Sequence, residues 1–187
     1  MKKFFLVLAI TATTIGAKAQ SEKTTFGGHG AGIAEMTWVN GQPALNLGAY
    51  GGLLVNHKLL IGAAGNNIVF KKSVNGKKEN FRFNYYGLYT EYRLMPQKPI
   101  TASVGLTGAM GWQENDMGTT EKNSRKKDGS YTYVIQPKLA VNAKITRFMQ
   151  VQAYGSYRIT GNTNSLHYTG KNYNGASAGI GLVFGSF

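Results

Sequence analysis

The stretch ITASVGLTGAMGW, residues 100–112, alternates apolar residues with small or polar ones at a period of two. Successive side chains of a β-strand point to opposite faces of the sheet, so the pattern predicts a strand with one apolar and one polar face. The segment exceeds the roughly 9–11 residues that a tilted strand needs to cross a bilayer. The apolar face carries Ile100, Ala102, Val104, Leu106, Met110 and Trp112.

Seven further segments alternate in the same way, which gives eight predicted strands. Glycine contributes 25 of the 187 residues, and it argues against long helices because each interior glycine costs about 1 kcal/mol relative to alanine. Segment 58–70 is apolar on both faces at its start, so its register stays open. The seven segments are 26–38, 44–55, 58–70, 81–94, 131–142, 148–159 and 175–187.

The predicted connections differ in length in a regular order. Apart from the first, at 39–43, the connections after odd-numbered strands are long and those after even-numbered strands are short. Outer-membrane barrels show this pattern, with short periplasmic turns and longer outer loops. A sheet in hydrocarbon must also close on itself to pair every backbone group. We therefore predict an all-β fold, an eight-stranded antiparallel up-and-down transmembrane β-barrel. The long connections are 71–80, 113–130 and 160–173, and the short ones are 56–57, 95–99 and 143–147.

The first twenty residues, MKKFFLVLAITATTIGAKAQ, have the pattern of a secretory signal peptide. Two lysines precede an apolar run at 4–16, and Ala17-Lys18-Ala19 supplies a cleavage motif. The run is shorter than the roughly 20 apolar residues of a membrane anchor. We predict a signal peptide at 1–19, a barrel domain at 20–187 and export to the outer membrane.

These features together resemble the small OmpA/OmpX-type eight-stranded outer-membrane β-barrels of Gram-negative bacteria, of a functionally uncharacterised type. YGSYRITGN, at 154–162, and GLVFGSF, at 181–187, are similar to endings seen in such barrels with no assigned activity. The resemblance implies that Phe187 belongs to an assembly signal read by the barrel-assembly machinery. The alternate positions before Phe187 include Gly181 and Gly185, so either the strand changes phase near Gly185 or the signal is weak.

Charged residues on the polar faces predict a polar network inside the barrel. An eight-stranded barrel is just wide enough to be filled by its own side chains, so no open pore is expected. Unpaired buried charges are costly, and we therefore expect Glu35 and Glu91 to pair with basic residues. The alternative is that these charges are solvated at the rims. The network consists of Glu35, Glu91, Arg93, Lys138 and Arg158.

Aromatic residues near the predicted strand ends indicate which face meets lipid. Alternation alone does not separate a membrane barrel from a soluble exported lipid- or ligand-binding barrel, which would bury its apolar face. Aromatic girdles at the two membrane interfaces are typical of membrane barrels. The predicted girdle residues are Trp38, Tyr92, Trp112, Tyr131, Tyr133 and Tyr157.

The predicted outer loops are strongly basic. Lysine and arginine outnumber aspartate and glutamate by 21 to 8, and in an exported chain such a balance favours anionic lipid or polysaccharide over nucleic acid. We predict contact with lipopolysaccharide phosphates, with a merely solvated loop as the alternative, and a monomer in outer-membrane lipid. The loop cations are Lys71, Lys72, Lys77, Lys78, Lys122, Arg125, Lys126 and Lys127.

Catalysis has little support in the sequence. LHYTGKNYNG, at 166–175, resembles the His-x-Ser-Asn stretch of lipid A deacylases, with His167 at the base position, but Thr169 replaces the serine and Gly170 the asparagine. A nucleophile without an oriented base is weakly activated. The absence of cysteine and the wide spacing of His29 and His57 give no metal or cofactor site. We predict a non-enzymatic structural or surface-interaction role, with a lipid A-modifying enzyme as the alternative.

Overall fold

The computed structural model describes residues 24–39, 41–74, 77–96, 98–116, 131–161 and 173–185, with side chains for all but 70–74, 77–81 and 113–116. Among these residues no helix is long and apolar enough to span a bilayer. Eight strands form one closed antiparallel barrel in chain order, as predicted. They are β1 Phe26–Val39, β2 Gln42–Val55, β3 Leu59–Val74, β4 Lys77–Leu94, β5 Ile100–Asp116, β6 Tyr131–Lys144, β7 Met149–Thr160 and β8 Gly175–Gly185.

The seam of the barrel joins β1 to β8 and fixes the register that the sequence left open for β8. The pairs run from His29↔Gly185 to Thr37↔Ser177. Val183 points inward and is fully buried, whereas the neighbouring Leu182 and Phe184 are exposed on the outer face. Phe187 lies outside the described residues, so its role in assembly stays a prediction.

The register of β3 is also defined. Leu60 and Ile68 are fully buried inside the barrel, and Ile61 lies on the outer face. The start of β3 is therefore apolar on both faces because its outward residues belong to the apolar outer surface of the barrel, while its inward residues form a local apolar patch. Leu60 pairs with Leu54 of β2 and with Glu91 of β4.

The prediction of a loop at 71–80 is wrong over most of that range. Strand β3 continues to Val74 and β4 begins at Lys77, with Val74 and Lys77 paired, so that only residues 75 and 76 lie between the two strands. The sequence at those positions is Asn-Gly, which is the strongest short-range hairpin signal and was overlooked in favour of the lysines around it. The loop predicted from 113 also begins later, because β5 continues to Asp116.

The predicted alternation of long and short connections therefore holds for only half of the barrel. The connections of one end are 56–58, 95–99 and 145–148, and we call this the turn end. At the other end, the loop end, the connections at 117–130 and 161–174 are long, but those at 40–41 and 75–76 are as short as turns.

The two faces of the sheet have the polarity that the alternation predicts. Along β6, Tyr133, Ile135 and Leu139 are exposed on the outer face, while Gln136 and Lys138 are buried inside. Large apolar side chains cover the outer face of the other strands as well, up to Leu88 with 76% of its surface exposed. The polar side chains consequently converge on the barrel axis, where the candidate site lies.

Candidate functional site

The interior contains a buried ion cluster centred on Glu91 of β4. Glu91 is 1% exposed, and its Oε2 lies 3.3 Å from Nζ of Lys138 on β6, while its Oε1 lies 3.5 Å from Nε of Arg93. The hydroxyl of Tyr89 donates a hydrogen bond to Oε2 as well. The structure thus brings three of the five predicted network residues together, and both cations face the same carboxylate.

Lys138 is held by aromatic rings in addition to its anion. Its Nζ lies 4.1 Å from the ring centre of Tyr50, 4.7 Å from that of Tyr89 and 5.2 Å from that of Tyr154. The faces of aromatic rings attract cations, and the attraction is greater where water is excluded. Nζ also donates to Oε1 of Gln152 at 3.2 Å. The ammonium group therefore has partners on several sides although it is almost fully buried.

Arg93 connects this cluster to a histidine that sequence reasoning set aside as isolated. Nη2 of Arg93 lies 2.9 Å from Nε2 and 3.1 Å from Nδ1 of His29 on β1. A guanidinium group only donates hydrogen bonds, so a ring nitrogen of His29 accepts one. Both residues are buried. No sequence signal links them, since β1 and β4 are not neighbours in the barrel.

Neutral side chains extend the cluster around the inside of the barrel. Gln152 accepts a hydrogen bond from the hydroxyl of Tyr50 at 3.1 Å and donates one to Oδ1 of Asn142 at 2.8 Å. Asn142 in turn donates to the hydroxyl oxygen of Ser103 at 3.2 Å. The last two bonds join neighbouring strands, β6 with β7 and β5 with β6, whereas the bond between Tyr50 and Gln152 joins β2 to β7, which share no backbone pairing.

Glu35 of β1 occupies a different environment, and the ion pair expected for it is not formed with any described residue. Its Oε1 accepts a hydrogen bond from Nδ2 of Asn46 at 2.5 Å, whereas its Oε2 has no hydrogen-bond partner within the described part of the chain. The remaining predicted cation, Arg158, is engaged elsewhere. Its Nε donates to the carbonyl oxygen of Tyr173 at 2.7 Å, and its Nη2 to that of Trp38 at 3.4 Å.

Amides and hydroxyls surround Glu35 in place of cations. Asn46 also donates to Oδ1 of Asn66 at 3.2 Å and to the hydroxyl of Tyr85 at 3.4 Å. Tyr85 donates to Oε1 of Gln136 at 2.7 Å, and Gln136 donates to the hydroxyl of Ser156 at 2.8 Å. This chain of neutral groups leads from β1 and β2 across to β6 and β7.

Two apolar clusters inside the barrel were missed by the sequence analysis, which expected a polar interior. In the cluster nearer the loop end, the rings of Phe83 and Tyr173 stack with their centres 4.6 Å apart. A weak signal for the other cluster was present, because the start of β3 is apolar on both faces. The first cluster contains Val39, Ala44, Ile68, Phe83, Tyr85, Ala109, Val134 and Tyr173, and the second contains Ala31, Tyr50, Leu54, Leu60, Ala64, Tyr89 and Val183.

The predicted girdle aromatics all lie on the outer face. Trp38, Tyr92, Tyr131, Tyr133 and Tyr157 are exposed, and Trp112 is half-buried because its ring stacks on that of Tyr86 at 5.1 Å. Only Tyr92 lies near the turn end. Three exposed phenylalanines at that end were overlooked, although each stands at or beside a strand terminus: Phe26, Phe148 and Phe184.

Several predicted residues have no described side chain. Lys71, Lys72, Lys77 and Lys78 belong by their backbone to the β3–β4 hairpin. The signal peptide and the residues of the deacylase-like stretch, His167, Thr169 and Gly170, lie outside the described residues, as do the loop cations Lys122, Arg125, Lys126 and Lys127. Within the described part of the chain, no three histidine, aspartate or glutamate residues are grouped so that they could hold a metal ion.

Solved structures that are similar to this barrel include the following two. The crystal structure of neisserial surface protein A (NspA) aligns with a TM-score of 0.64 and 14% identity over 87% of this chain and 99% of that chain. The N-terminal β-barrel domain of Pseudomonas aeruginosa OprF aligns with a TM-score of 0.51 and 12% identity over 87% and 99%. No protein-family model and no curated protein matches the chain. The chain therefore shares the fold of the small eight-stranded outer-membrane β-barrels.

Proposed function

We propose that this chain is a non-enzymatic outer-membrane barrel with a structural or surface-interaction role. The observation that carries the proposal is the polarity of the closed sheet, in which apolar side chains cover the outside while most of the described charged and amide side chains of the strands lie inside, between two apolar clusters. Leu47, Leu88 and Leu139, on three different strands, each expose more than half of their surface. In a bilayer these side chains meet hydrocarbon, whereas in water they would form an apolar patch far larger than soluble monomers expose.

The same polarity argues against a soluble exported carrier. A lipid- or ligand-binding barrel in water would place its apolar row inside and its polar row outside. Here Gln152, Asn142 and Arg158 are fully buried within the barrel while Ile180 and Leu182 of the adjoining β8 are exposed.

A lumen closed to ions is the second part of the proposal. Side chains meet across the axis, as between Tyr50 of β2 and Gln152 of β7, or between Glu91 of β4 and Lys138 of β6. An eight-stranded barrel leaves little room beyond such side chains. The two apolar clusters lie along the same axis and support the same conclusion. We expect no ion conductance.

The third part of the proposal is contact with lipopolysaccharide. The basic residues at 71–78 and 122–127 would meet the phosphates of lipopolysaccharide at the loop end, where phosphate oxygens form strong charge-assisted hydrogen bonds with lysine and arginine. Strands β3, β4 and β5, of 16, 18 and 17 residues, are longer than a bilayer crossing needs. That excess would carry the β3–β4 hairpin beyond the hydrocarbon, which supports a role at the cell surface for a monomeric barrel.

The test is whether the mature protein behaves as a membrane barrel. After extraction in detergent it should migrate faster on SDS gels before heating than after it, because the closed barrel resists SDS, and it should fractionate with outer membranes. Planar bilayers containing the protein should show no conductance. A protein that stays dispersed without detergent and fractionates with the periplasm would contradict the proposal. A change in lipid A mass on overproduction would instead support an enzyme.

A further inference from the structure

Two asparagines depart from the inward placement of the other amide side chains. Asn67 of β3 and Asn84 of β4 are directly opposite each other. In each strand the residues on both sides of the asparagine are buried inside the barrel, so both amides lie on the outer face. Nδ2 of Asn67 donates a hydrogen bond to Oδ1 of Asn84. The pair is therefore a polar spot on a largely apolar surface.

The bond between the two amides does not by itself satisfy them. An amide side chain offers two N–H donors and an oxygen with two lone pairs, and this bond uses one donor of Asn67 and one lone pair of Asn84. Polar groups without partners are costly in hydrocarbon, where no water replaces a missing bond. The pair consequently calls for a polar partner next to the barrel wall.

The position of the pair along the barrel indicates where such a partner lies. Asn84 is opposite Trp112 of β5, and Trp112 is opposite Tyr131 of β6, two of the aromatics predicted for the girdle. Arg82, two residues nearer the loop end on the same face, is exposed. Aromatic girdles lie at the level of the lipid headgroups, so the amides are placed to meet headgroups rather than acyl chains.

An aromatic wall stands beside the amides. Tyr86 is the next outward residue of β4 toward the turn end, and its ring stacks on that of Trp112 with the centres 5.1 Å apart and the planes at 24°. The ring also lies over Gly65 of β3, where a Cβ atom would come within 2.6 Å of it. The glycine therefore leaves room for the ring, and 53% of Tyr86 stays exposed, one outward position from Asn84.

Amides beside an exposed aromatic ring are suited to a sugar. The hydroxyl groups of a sugar both donate and accept hydrogen bonds, as amides do, while the C–H groups of the sugar ring pack on an aromatic ring. A phosphatidylglycerol headgroup offers fewer hydroxyls and no rigid ring. Charge is the weaker argument here, because the acidic residue Glu114 of β5 is opposite Arg82 in the register.

We propose that Asn67, Asn84 and the stacked rings of Tyr86 and Trp112 form a site on the outer wall of the barrel for the sugar headgroup of lipid A. The amides bind sugar hydroxyls, and the exposed part of Tyr86 packs on the sugar ring. The inference rests on the proposed membrane function and deepens its contact with lipopolysaccharide. It adds a sugar site on the wall to the phosphate contacts expected of the loop cations.

The site is tested by tryptophan fluorescence, since the chain has two tryptophans, Trp38 and Trp112. Trp38→Phe leaves Trp112 as the single reporter beside the amides. In micelles of a neutral detergent, added lipid A should change the emission of Trp112 at a mole fraction about tenfold lower than phosphatidylglycerol does. Both lipids are anionic, so the difference reports the sugar. In Trp112→Phe, the remaining Trp38 on β1 should respond equally to both lipids.

Variants of the amides separate the site from a general effect of lipid A. In the Trp38→Phe background, Asn84→Leu or Asn67→Leu should raise the lipid A fraction at half-maximal response about fivefold. Leucine suits a lipid-facing position, so both variants should keep the heat-modifiable band. Thr90→Val is the matched control. It removes an exposed polar group from the same face of β4, three outward positions nearer the turn end, and it should leave the response unchanged.

Equal responses of Trp112 to the two lipids overturn the proposal without any amide variant, and so does an unchanged response in both asparagine variants. If the emission of Trp112 depends on protein concentration without lipid A, and Asn84→Leu abolishes that dependence, the pair belongs to a contact with a second copy instead. Absence of the heat-modifiable band in the wild type would overturn the membrane function itself. A heat-modifiable wild type that does not prefer lipid A refutes only the sugar site.

Discussion

Two carboxylates inside one barrel have opposite surroundings. Glu91 of β4 faces two cations and a tyrosine hydroxyl, whereas Glu35 of β1 receives a hydrogen bond from Asn46 and forms no ion pair with any described residue. Both are almost fully buried, and the same alternation places both inside. The difference shows that strand periodicity decides whether a charge is buried, while register across the lumen decides whether it is paired.

The largest expected effect is that of Glu91→Ala. The change leaves Lys138 and Arg93 buried without their anion, and removal of one partner of a buried ion pair costs about 3–5 kcal/mol. The free energy of unfolding is measured in lipid vesicles from the loss of the fast-migrating band on SDS gels across a urea series. An effect below about 1 kcal/mol, the range of exposed pairs, would contradict the environment described for Glu91.

A double substitution tests how much the Glu91–Lys138 ion pair contributes to the free energy of unfolding. Glu91→Gln combined with Lys138→Met replaces the pair with neutral side chains of similar size, and such replacements of buried pairs are often neutral or stabilising. Glu91→Gln alone leaves both Lys138 and Arg93 without their anion, so we expect the added Lys138→Met to restore part of the stability that Glu91→Gln loses, measured in the same urea series. Additive losses would mean that Lys138 is held by the rings of Tyr50 and Tyr89 rather than by Glu91.

The neutral chain that surrounds Glu35 is tested at Tyr85. Tyr85→Phe removes a buried hydroxyl that donates to Gln136 and accepts from Asn46, and a buried polar group left without its partner costs about 1–3 kcal/mol. The adjacent Tyr86 is the matched control, since its ring lies on the outer face. Tyr86→Phe should change the free energy of unfolding by less than about 0.5 kcal/mol. Equal losses in both variants would contradict the assignment of faces.

The strand faces could be predicted from the sequence because period-two alternation is a local property. The pairing of Glu91 with Lys138 in particular could not be assigned, since Lys138 lies two strands away and meets Glu91 only through the register of the closed sheet. The apolar interior at Leu60 and Ile68 was hidden for a related reason. Where both faces of a strand are apolar, as at the start of β3, alternation gives no information on which side each residue lies. The β3–β4 hairpin, by contrast, was predictable from its Asn-Gly pair.

The smallest effect is expected at the other carboxylate. Glu35→Gln keeps an oxygen that can accept from Asn46 and removes a charge that no described cation neutralises. A buried charge without a partner is costly, so the free energy of unfolding should stay within about 1 kcal/mol of the wild type or rise. The same urea series in lipid vesicles provides the measurement. A loss as large as that of Glu91→Ala would mean that Glu35 is paired in the membrane, and the contrast between the two carboxylates would then disappear.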